Sequence, residues 1–227
     1  MSGILRIARG KDNILEEGRL FIVSGPSGAG KSSICEALYR DGTFVRSISM
    51  TTRARRGREI PGVSYYYVSD EEFQKTVEED GFLEYAGIYG HRYGTPKAPV
   101  LKNLSEGKDV VLEIEMQGAM QAKKAYPEAI MVFILPPSMQ TLRDRLIRRG
   151  TEDEEQLRKR MKESLAEIKL IKDYQYYIVN ENLEHSIEEL RAISQGGGTP
   201  VPEDVSEIVS KYEEEEKQCY YIPQLTC

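Results

Sequence analysis

The chain has few cysteines and no long apolar segment. Its three cysteines, Cys35, Cys219 and Cys227, are odd in number and form no C-x-x-C pair. The sequence therefore indicates neither a disulfide framework nor a zinc site, and it favours a reducing compartment. No apolar run approaches the roughly 18 residues of a membrane-spanning helix, and there is no signal-peptide core. These absences predict a soluble, cytoplasmic protein without a membrane partner.

The chain also has no excess of positive charge. Its formal net charge of −6 argues against general nucleic-acid binding, which favours a basic face, but leaves room for a local cationic pocket. Hydrophobic residues make up 40% of the sequence and charged residues 30%, which is typical of a globular protein. The length of 227 residues predicts one domain, with room for insertions and a sizeable core.

A stretch near the start of the chain fits the pattern G-x-x-x-x-G-K-[ST] of the phosphate-binding P-loop. Its glycines let successive backbone N–H groups turn inward around phosphate oxygens, where a Cβ would obstruct them. Lys31 would bring a cation to the outer phosphates, and the Ser32 hydroxyl would ligate Mg²⁺. An apolar run at 20–23 predicts a buried strand before the loop, and residues 33–39 predict a helix whose N-terminus faces the phosphates. The predicted nucleoside triphosphate site comprises Gly25, Pro26, Ser27, Gly28, Ala29, Gly30, Lys31, Ser32 and Ser33.

Strand-like and helix-like stretches alternate along the rest of the chain. Apolar runs at 110–112, 130–135 and 177–179 predict further strands of a parallel sheet that is covered on both faces by helices. The segment 47–93 differs, because it is rich in Thr, Arg, Tyr and Gly and has a strand-like run at 65–68 without a βαβ neighbour. We interpret this segment as an inserted subdomain. The predicted helices lie at about 71–79, 117–125, 139–148, 154–172 and 183–193.

The two ends of the chain carry weaker patterns. Residues 1–18 precede the first core strand and show no strong periodicity. After Ser194, the glycine-rich run 196–200 is typical of a flexible linker. Residues 203–212 favour one helix, which the acidic run 213–216 follows. We interpret this C-terminal part as a solvated appendage.

Three further clusters indicate a second substrate. Residues 49–56 concentrate hydroxyls and guanidiniums, and arginine binds phosphate in a planar, bidentate fashion. A solvated basic loop is the alternative interpretation. Glu84 places one carboxylate in an apolar run. Glu113 and Glu115 follow a predicted buried strand on the same side, at the strand end where open α/β sheets bind ligands.

Over residues 18–193, these motifs together resemble the guanylate kinase family. The P-loop run is followed in order by Ser-x-Ser-x-Thr-Thr-Arg, Gly-x-x-Tyr-Tyr-Tyr-Val, Phe-Leu-Glu-Tyr-Ala, Tyr-Gly-Thr, Glu-Ile-Glu-Met-Gln-Gly-Ala, Arg-Arg-Gly-Thr-Glu and Ile-Val-Asn. The resemblance implies a P-loop NTPase fold of three α/β/α layers with a parallel sheet, an inserted mixed β subdomain that binds GMP, and a helical lid. The implied kinase domain is 19–195, with its core at 19–46, 96–137 and 166–195, the GMP-binding insert at 47–95 and the lid at 138–165. Residues 1–18 and 196–227 would be extensions, the latter of unknown role.

The resemblance also implies a GMP site. It places Arg53, Arg56, Tyr65 and Tyr93 on the phosphate, and Ser49, Glu84 and Thr95 around guanine, with Glu115 nearby. The chemistry of guanine supports this assignment, since its N1–H and N2 amino group are adjacent donors and a carboxylate only accepts. Adenine presents an acceptor at N1, and a site built for donors rejects such an analogue by as much as about 10⁴–10⁵.

The same resemblance implies the groups around ATP. Arg145 and Arg149 are i,i+4 neighbours on one helix face, and Arg160 lies on the next predicted helix. With Lys31, these arginines would stabilise the charge of the transferring phosphoryl group when the lid closes. Asn180 matches an adenine-side position, although a turn residue at a strand end is an equal alternative. Glu113 would hold Mg²⁺ through water.

Some positions depart from the usual family pattern. Arg55 and Arg58 stand where the family usually has proline and glycine, and Glu115 and Glu181 stand where aspartate is more usual. The added positive charges of Arg55 and Arg58 would alter the rigidity and the conformation of the loop beside the expected GMP phosphate. The longer side chain of Glu115 would shift a guanine or metal contact by about a bond length.

The sequence therefore predicts an enzyme of purine nucleotide metabolism that phosphorylates GMP, and also dGMP, with ATP and Mg²⁺. The alternatives are a scaffold that binds a phosphorylated peptide in the GMP cleft, and a kinase for another nucleoside monophosphate. The complete P-loop weighs against the first, and Ser49 and Glu84 weigh against the second. The sequence leaves a monomer and a homo-oligomer equally open.

Overall fold

The computed structural model describes residues 17–88, 90–148 and 154–219. Its larger sheet has five parallel strands in the order β2-β7-β1-β8-β9. The central strand β1 pairs Leu20 with Val110 on one side and Phe21 with Ile130 on the other. The strands are β1 (Leu20–Ser24), β2 (Val45–Arg46), β7 (Val110–Glu113), β8 (Ile130–Leu135) and β9 (Tyr176–Val179).

Helices cover both faces of this sheet. Because side chains alternate along a strand, Leu20 and Ile22 of β1 enter one hydrophobic cluster, and Phe21 and Val23 enter the other. Helices α1 and α7 pack on the second cluster, while α3, α4, α5, α6 and α8 pack on the first. This arrangement confirms the predicted three-layer α/β/α fold. The helices are α1 (Lys31–Arg40), α3 (Lys97–Ser105), α4 (Met116–Ala125), α5 (Met139–Arg148), α6 (Glu154–Ile168), α7 (Leu183–Ser194) and α8 (Ser206–Cys219).

The segment predicted as an insert forms a second, mixed sheet in the order β4-β3-β6-β5. Helix α2 (Asp70–Glu78) packs on this sheet, and the ring of Phe73 stacks on that of Phe82 at 4.6 Å between centroids. A capping box between Ser69 and Glu72 satisfies backbone donors where α2 begins. The strands are β3 (Met50–Thr51), β4 (Tyr66–Tyr67), β5 (Phe82–Ile88) and β6 (His91–Pro96).

The interpretation of the C-terminal part as a solvated appendage is wrong for its described residues. The backbone N–H of Tyr177 donates to the Thr199 carbonyl at 3.2 Å, and that of Val201 donates to the Gln175 carbonyl at 3.0 Å. Residues 199–201 therefore pair with the outer edge of β9, where a flexible linker was expected. Helix α8 follows and packs against α5 and α6.

An amphipathic face explains the docking of α8. Ile208 and Val209 pack on the core, and the Tyr212 side chain is only 1% exposed, with its hydroxyl donating to the Pro136 carbonyl. Glu215 accepts from the backbone N–H of Met139 at 2.8 Å, which supplies a partner at the N-terminus of α5. Apolar positions recur at helical spacing from 205 to 219, but the four consecutive glutamates at 213–216 obscured this pattern in the sequence.

Candidate active site

The P-loop joins β1 to α1 and requires glycine at several positions. Gly25 has φ 142° and Gly30 has φ 101°, both in the region that favours glycine. A Cβ on Gly25 would lie 2.2 Å from the Ile134 carbonyl oxygen, and one on Gly30 would lie 2.0 Å from Asn180 Nδ2. Close packing against β8 and against the Asn180 side chain, just after β9, therefore excludes other residues from these two positions.

Lys31 folds back over the loop that precedes it. Its ammonium donates to the carbonyls of Gly25 and Pro26, the latter at 3.1 Å. Burial lowers the pKa of Lys31, and the nearby carboxylates of Glu167, Glu113 and Glu115 oppose that shift. The cation is thus partly desolvated, which strengthens its interaction with any anion that enters.

A cavity of about 290 Å³ opens in front of the P-loop. The Ser32 hydroxyl donates to Glu113, the last residue of β7, because the carboxyl ends of neighbouring parallel strands meet at this edge. Glu115 lies at the N-terminus of α4. The lining residues are Gly25, Ser27, Gly28, Gly30, Lys31, Ser32, Ser33, Glu113, Ile114, Glu115 and Glu167.

Sequence reasoning missed Glu167, which enters the cavity from α6. Burial raises its pKa to about 7, with Lys31 opposing the shift and Glu115 and Glu163 adding to it. A half-buried carboxyl that titrates near neutrality thus lies in the candidate ATP site. Nothing in the local sequence marks this residue, since the packing of α6 alone brings it to the loop.

Arg145 and Asn180 both hold the P-loop by hydrogen bonds to its backbone carbonyls. Arg145 donates to the carbonyls of Gly28 and Ala29 at 3.2 and 3.1 Å, and to that of Asn180 at 3.2 Å. The Asn180 amide, 5% exposed, donates to the Ala29 carbonyl at 2.7 Å and accepts from Ser186 at 3.2 Å. Protein partners therefore occupy both ends of the carboxamide, which gives Asn180 a role in fixing the loop.

Of the other two predicted lid arginines, the structure describes one. Arg160 lies half-buried on α6. Arg149 lies outside the described residues. Arg145 contacts the P-loop directly, through the carbonyls of Gly28 and Ala29.

Two of the predicted base-reading residues, Glu84 and Thr95, meet between the second sheet and α4. Glu84 and Thr95 are cross-strand partners, and the Thr95 hydroxyl donates to the Glu84 carboxylate at 2.6 Å. Glu84 is 8% exposed, and burial raises its pKa. A Cβ on Gly118 would lie 3.0 Å from Glu84 Oε2, so α4 passes directly over this carboxylate. Ser49 lies just before β3, and its carbonyl accepts from the N–H of Tyr66.

A second cluster of the insert gathers most of the predicted phosphate clamp. Arg53 donates through Nε to the Tyr93 hydroxyl at 3.2 Å, and its guanidinium lies 5.5 Å from the centroid of the Tyr65 ring. The Tyr65 and Tyr93 rings are 6.0 Å apart between centroids. The Arg56 side chain is exposed on the adjacent loop, as are those of Arg55 and Arg58.

Helix α4 connects the P-loop cavity with the Glu84 carboxylate. Its N-terminal Glu115 lines the cavity in front of the P-loop, and its first turns reach Glu84. A rigid helix therefore fixes the distance between the triphosphate-binding loop and the buried carboxylate of the insert. This fold and this loop define a P-loop protein with a second group of buried polar side chains beside the loop.

Comparison with known proteins is consistent with this class. The sequence model described as guanylate kinase matches residues 17–195. The guanylate kinase of Caldanaerobacter subterraneus subsp. tengcongensis is 49% identical over 182 residues, which cover 80% of this chain and 88% of that protein. The guanylate kinase of Clostridioides difficile is 45% identical over 202 residues, covering 88% and 98%.

A solved structure agrees with the sequence matches. The crystal structure of guanylate kinase from Anaplasma phagocytophilum superposes with a TM-score of 0.63 at 31% identity, covering 80% of this chain and 86% of that one. The chain therefore belongs to the guanylate kinase family. Among the described residues, no helix combines the length and the apolar character needed to cross a membrane.

Proposed function

We propose that the chain transfers the γ-phosphoryl group of ATP to GMP, and also to dGMP. The observation that carries this proposal is the buried Glu84–Thr95 pair, which α4 links to the P-loop cavity. Guanine offers two adjacent donors, and Glu84 is an acceptor whose second oxygen faces the start of α4. Membership of the guanylate kinase family supports the same substrate.

On the ATP side, the P-loop amides and Lys31 would hold the phosphates. The Ser32 hydroxyl would ligate Mg²⁺, with Glu113 acting through water, and the ion would neutralise charge on the phosphate oxygens. The described residues contain no group of three or more acidic, histidine or cysteine side chains placed to hold a metal. This donor set fits Mg²⁺, which usually takes few protein ligands and keeps water and phosphate oxygens.

The chemical step needs positioning and charge stabilisation more than proton transfer. Lys31 and Arg145, together with Arg149 and Arg160, would stabilise the negative charge that spreads over the transferring oxygens. The acceptor is already a phosphate oxygen anion, so no side-chain base is required. The segment 138–165 would act as a lid that excludes water, so that GMP receives the phosphoryl group.

On the GMP side, Arg53, Arg56, Tyr65 and Tyr93 would bind the phosphate. Ser49, Glu84, Thr95 and Glu115 would surround guanine, and the insert at 47–95 would be the GMP-binding unit. We also propose a cytoplasmic location, which is supported by the two free, buried thiols of Cys35 and Cys219.

Glu84→Gln tests the base assignment. The amide satisfies only one of the two guanine donors and removes the charge, and an unpaired buried donor costs about 1–3 kcal/mol. The kcat/KM for GMP should fall at least about tenfold, whereas the dissociation constant of ATP should stay near that of the parent. The kcat/KM for AMP should fall less than that for GMP or should rise, because the N1 acceptor of AMP would meet an amide donor.

A coupled assay of ADP release with GMP, dGMP, AMP, CMP and UMP measures these effects. Glu79→Gln, at an exposed acid of the same insert, is the matched control. Unchanged discrimination between GMP and AMP in the folded Glu84→Gln variant would exclude a base-reading role. Absence of turnover with every monophosphate, combined with binding of a phosphorylated peptide, would favour the scaffold alternative.

A further inference from the structure

Glu59 lies at the centre of the predicted phosphate clamp. One carboxylate oxygen accepts from Arg53 at 2.7 Å, and the other accepts from the backbone N–H of Arg56 and from the Tyr67 hydroxyl, each at 2.8 Å. Three separate elements of the clamp thus converge on one side chain: the guanidinium, the loop that carries the second arginine, and strand β4.

The bond to Glu59 completes the orientation of Arg53. The guanidinium has five N–H donors in a rigid plane. Nε donates to Tyr93, one terminal nitrogen donates to the Ala54 carbonyl at 2.8 Å, and the other donates to Glu59. One N–H on each terminal nitrogen is left without a hydrogen-bond partner among the described residues, and these are available to a phosphate. Because Arg53 is only 6% exposed, its plane has little freedom to turn.

The negative charge of Glu59 disfavours phosphate binding, whereas its hydrogen bonds order the clamp. The Arg53 guanidinium, with the bonds from Arg56 N–H and Tyr67, lowers the pKa of Glu59 to about 2, so the side chain is a carboxylate at neutral pH. A carboxylate this close to the clamp repels an incoming phosphate. The contribution of Glu59 to the clamp is therefore the order that its hydrogen bonds impose on Arg53 and on the backbone at Arg56.

We propose that Glu59 is a positioning residue for recognition of the GMP phosphate: it holds Arg53 and the 53–59 loop in the arrangement that receives the phosphate. This role rests on the proposed function, because it assigns the phosphate of GMP to this clamp. Glu59 does not touch the substrate. It acts through the two arginines that do.

Glu59→Gln and Glu59→Ala test this role, with Tyr67→Phe as a milder variant that removes one bond to Glu59 and leaves its charge. Loss of a hydrogen bond to a charged group corresponds to a ten- to hundredfold change in affinity. The KM for GMP should therefore rise about ten- to a hundredfold in the Glu59 variants and by a smaller factor in Tyr67→Phe. The kcat at saturating GMP and the KM for ATP should change less than about threefold.

The distinguishing measurement compares GMP with guanosine, which lacks the phosphate. Calorimetric titration should show weaker GMP binding in the Glu59 variants and guanosine binding like that of the parent. If Glu59 had only a structural role, its replacement would weaken the binding of GMP and of guanosine together. The control is Glu79→Gln, and titration with ATP confirms that the core of each variant is folded.

Two failures can be told apart. If the parent turns over GMP and Glu59→Gln keeps the parent's ratio of GMP to guanosine affinity, the role of Glu59 is overturned and the proposed function stands. If the parent does not phosphorylate GMP, both are overturned. Should Glu59→Ala fail to fold, Glu59→Gln and Tyr67→Phe decide the question by the same ratio.

Discussion

Tyr212→Ala tests whether α8 is an integral part of the fold. The Tyr212 ring lies in the cluster formed with α5 and α6, and its hydroxyl donates to the Pro136 carbonyl, just after β8 ends. The substitution removes the aromatic contacts and this hydrogen bond together. It leaves the adjacent ion pair between Lys169 and Glu213, at 2.6 Å, in place.

The expected loss follows from burial. An aromatic side chain buries about 150–250 Å², which at about 25 cal/mol per Å² corresponds to an upper value of about 4–6 kcal/mol. Truncation of buried aromatic residues typically lowers the free energy of unfolding by about 3–5 kcal/mol. If α8 detaches while the rest stays folded, the loss cannot exceed the free energy of its docking. We therefore expect a loss of about 3 kcal/mol.

Urea unfolding followed by circular dichroism measures both the loss and its mechanism. Detachment of α8 would lower the slope m as well, because less surface would then be exposed on unfolding. Tyr212→Phe, which loses only the hydroxyl, should cost about 1 kcal/mol, and Glu214→Ala, on the exposed face of α8, should cost nearly nothing. If Tyr212→Ala stays within about 0.5 kcal/mol of the parent with an unchanged m, then α8 does not dock in this way.

Two further predictions concern the ATP cavity. Lys31→Met should lower kcat about a hundred- to a thousandfold, because it removes a desolvated cation from the phosphate site. ADP release measures this loss, and calorimetry should show little change in the melting midpoint. Near-parent turnover would exclude the P-loop role of Lys31. The pKa of Glu167 is about 7 in the folded chain against 4.5 ordinarily, so its stabilising contribution is present below pH 4.5 and is lost as the pH rises through 7. Glu167→Gln should therefore gain stability over the parent as the pH rises from about 5 to 8 in ligand-free urea titrations, and an equal dependence on pH in both proteins would contradict this cause.

The parts of the fold that the sequence predicted depend on local patterns. The P-loop is a contiguous motif whose glycine spacing reflects its own backbone geometry. The strands β1, β7 and β8 are buried on both faces and therefore consist of continuous apolar runs. By contrast, α3 was not predicted. Its sequence has Pro96 at the N-cap and Pro99 in the first turn, where proline is tolerated but weakens the helical pattern.

The parts of the site that were missed depend on tertiary packing. The sequence analysis did not identify Glu59, because its importance comes from contacts with Arg53 and Tyr67 that form when the loop folds. Glu167 gains its position from the docking of α6, and no neighbouring residue in the sequence indicates that it faces Lys31. The predicted roles of the named ligand-binding residues remain predictions, whereas the proximity of Glu84 to Thr95 and of Arg53 to Tyr93 is now a structural fact.

The pairing of residues 199–201 with β9 has a consequence for how the protein behaves at high concentration. Strand β9 is the last strand of the parallel sheet, and an unpaired outer edge offers backbone N–H and carbonyl groups to a strand of another molecule. Here the Thr199 carbonyl accepts from the N–H of Tyr177, and the Val201 N–H donates to the Gln175 carbonyl. Pro200 lies between them and has no N–H to offer outward. The C-terminal segment thus protects the sheet against intermolecular strand addition, and a chain shortened at Gln195 would expose an edge prone to self-association.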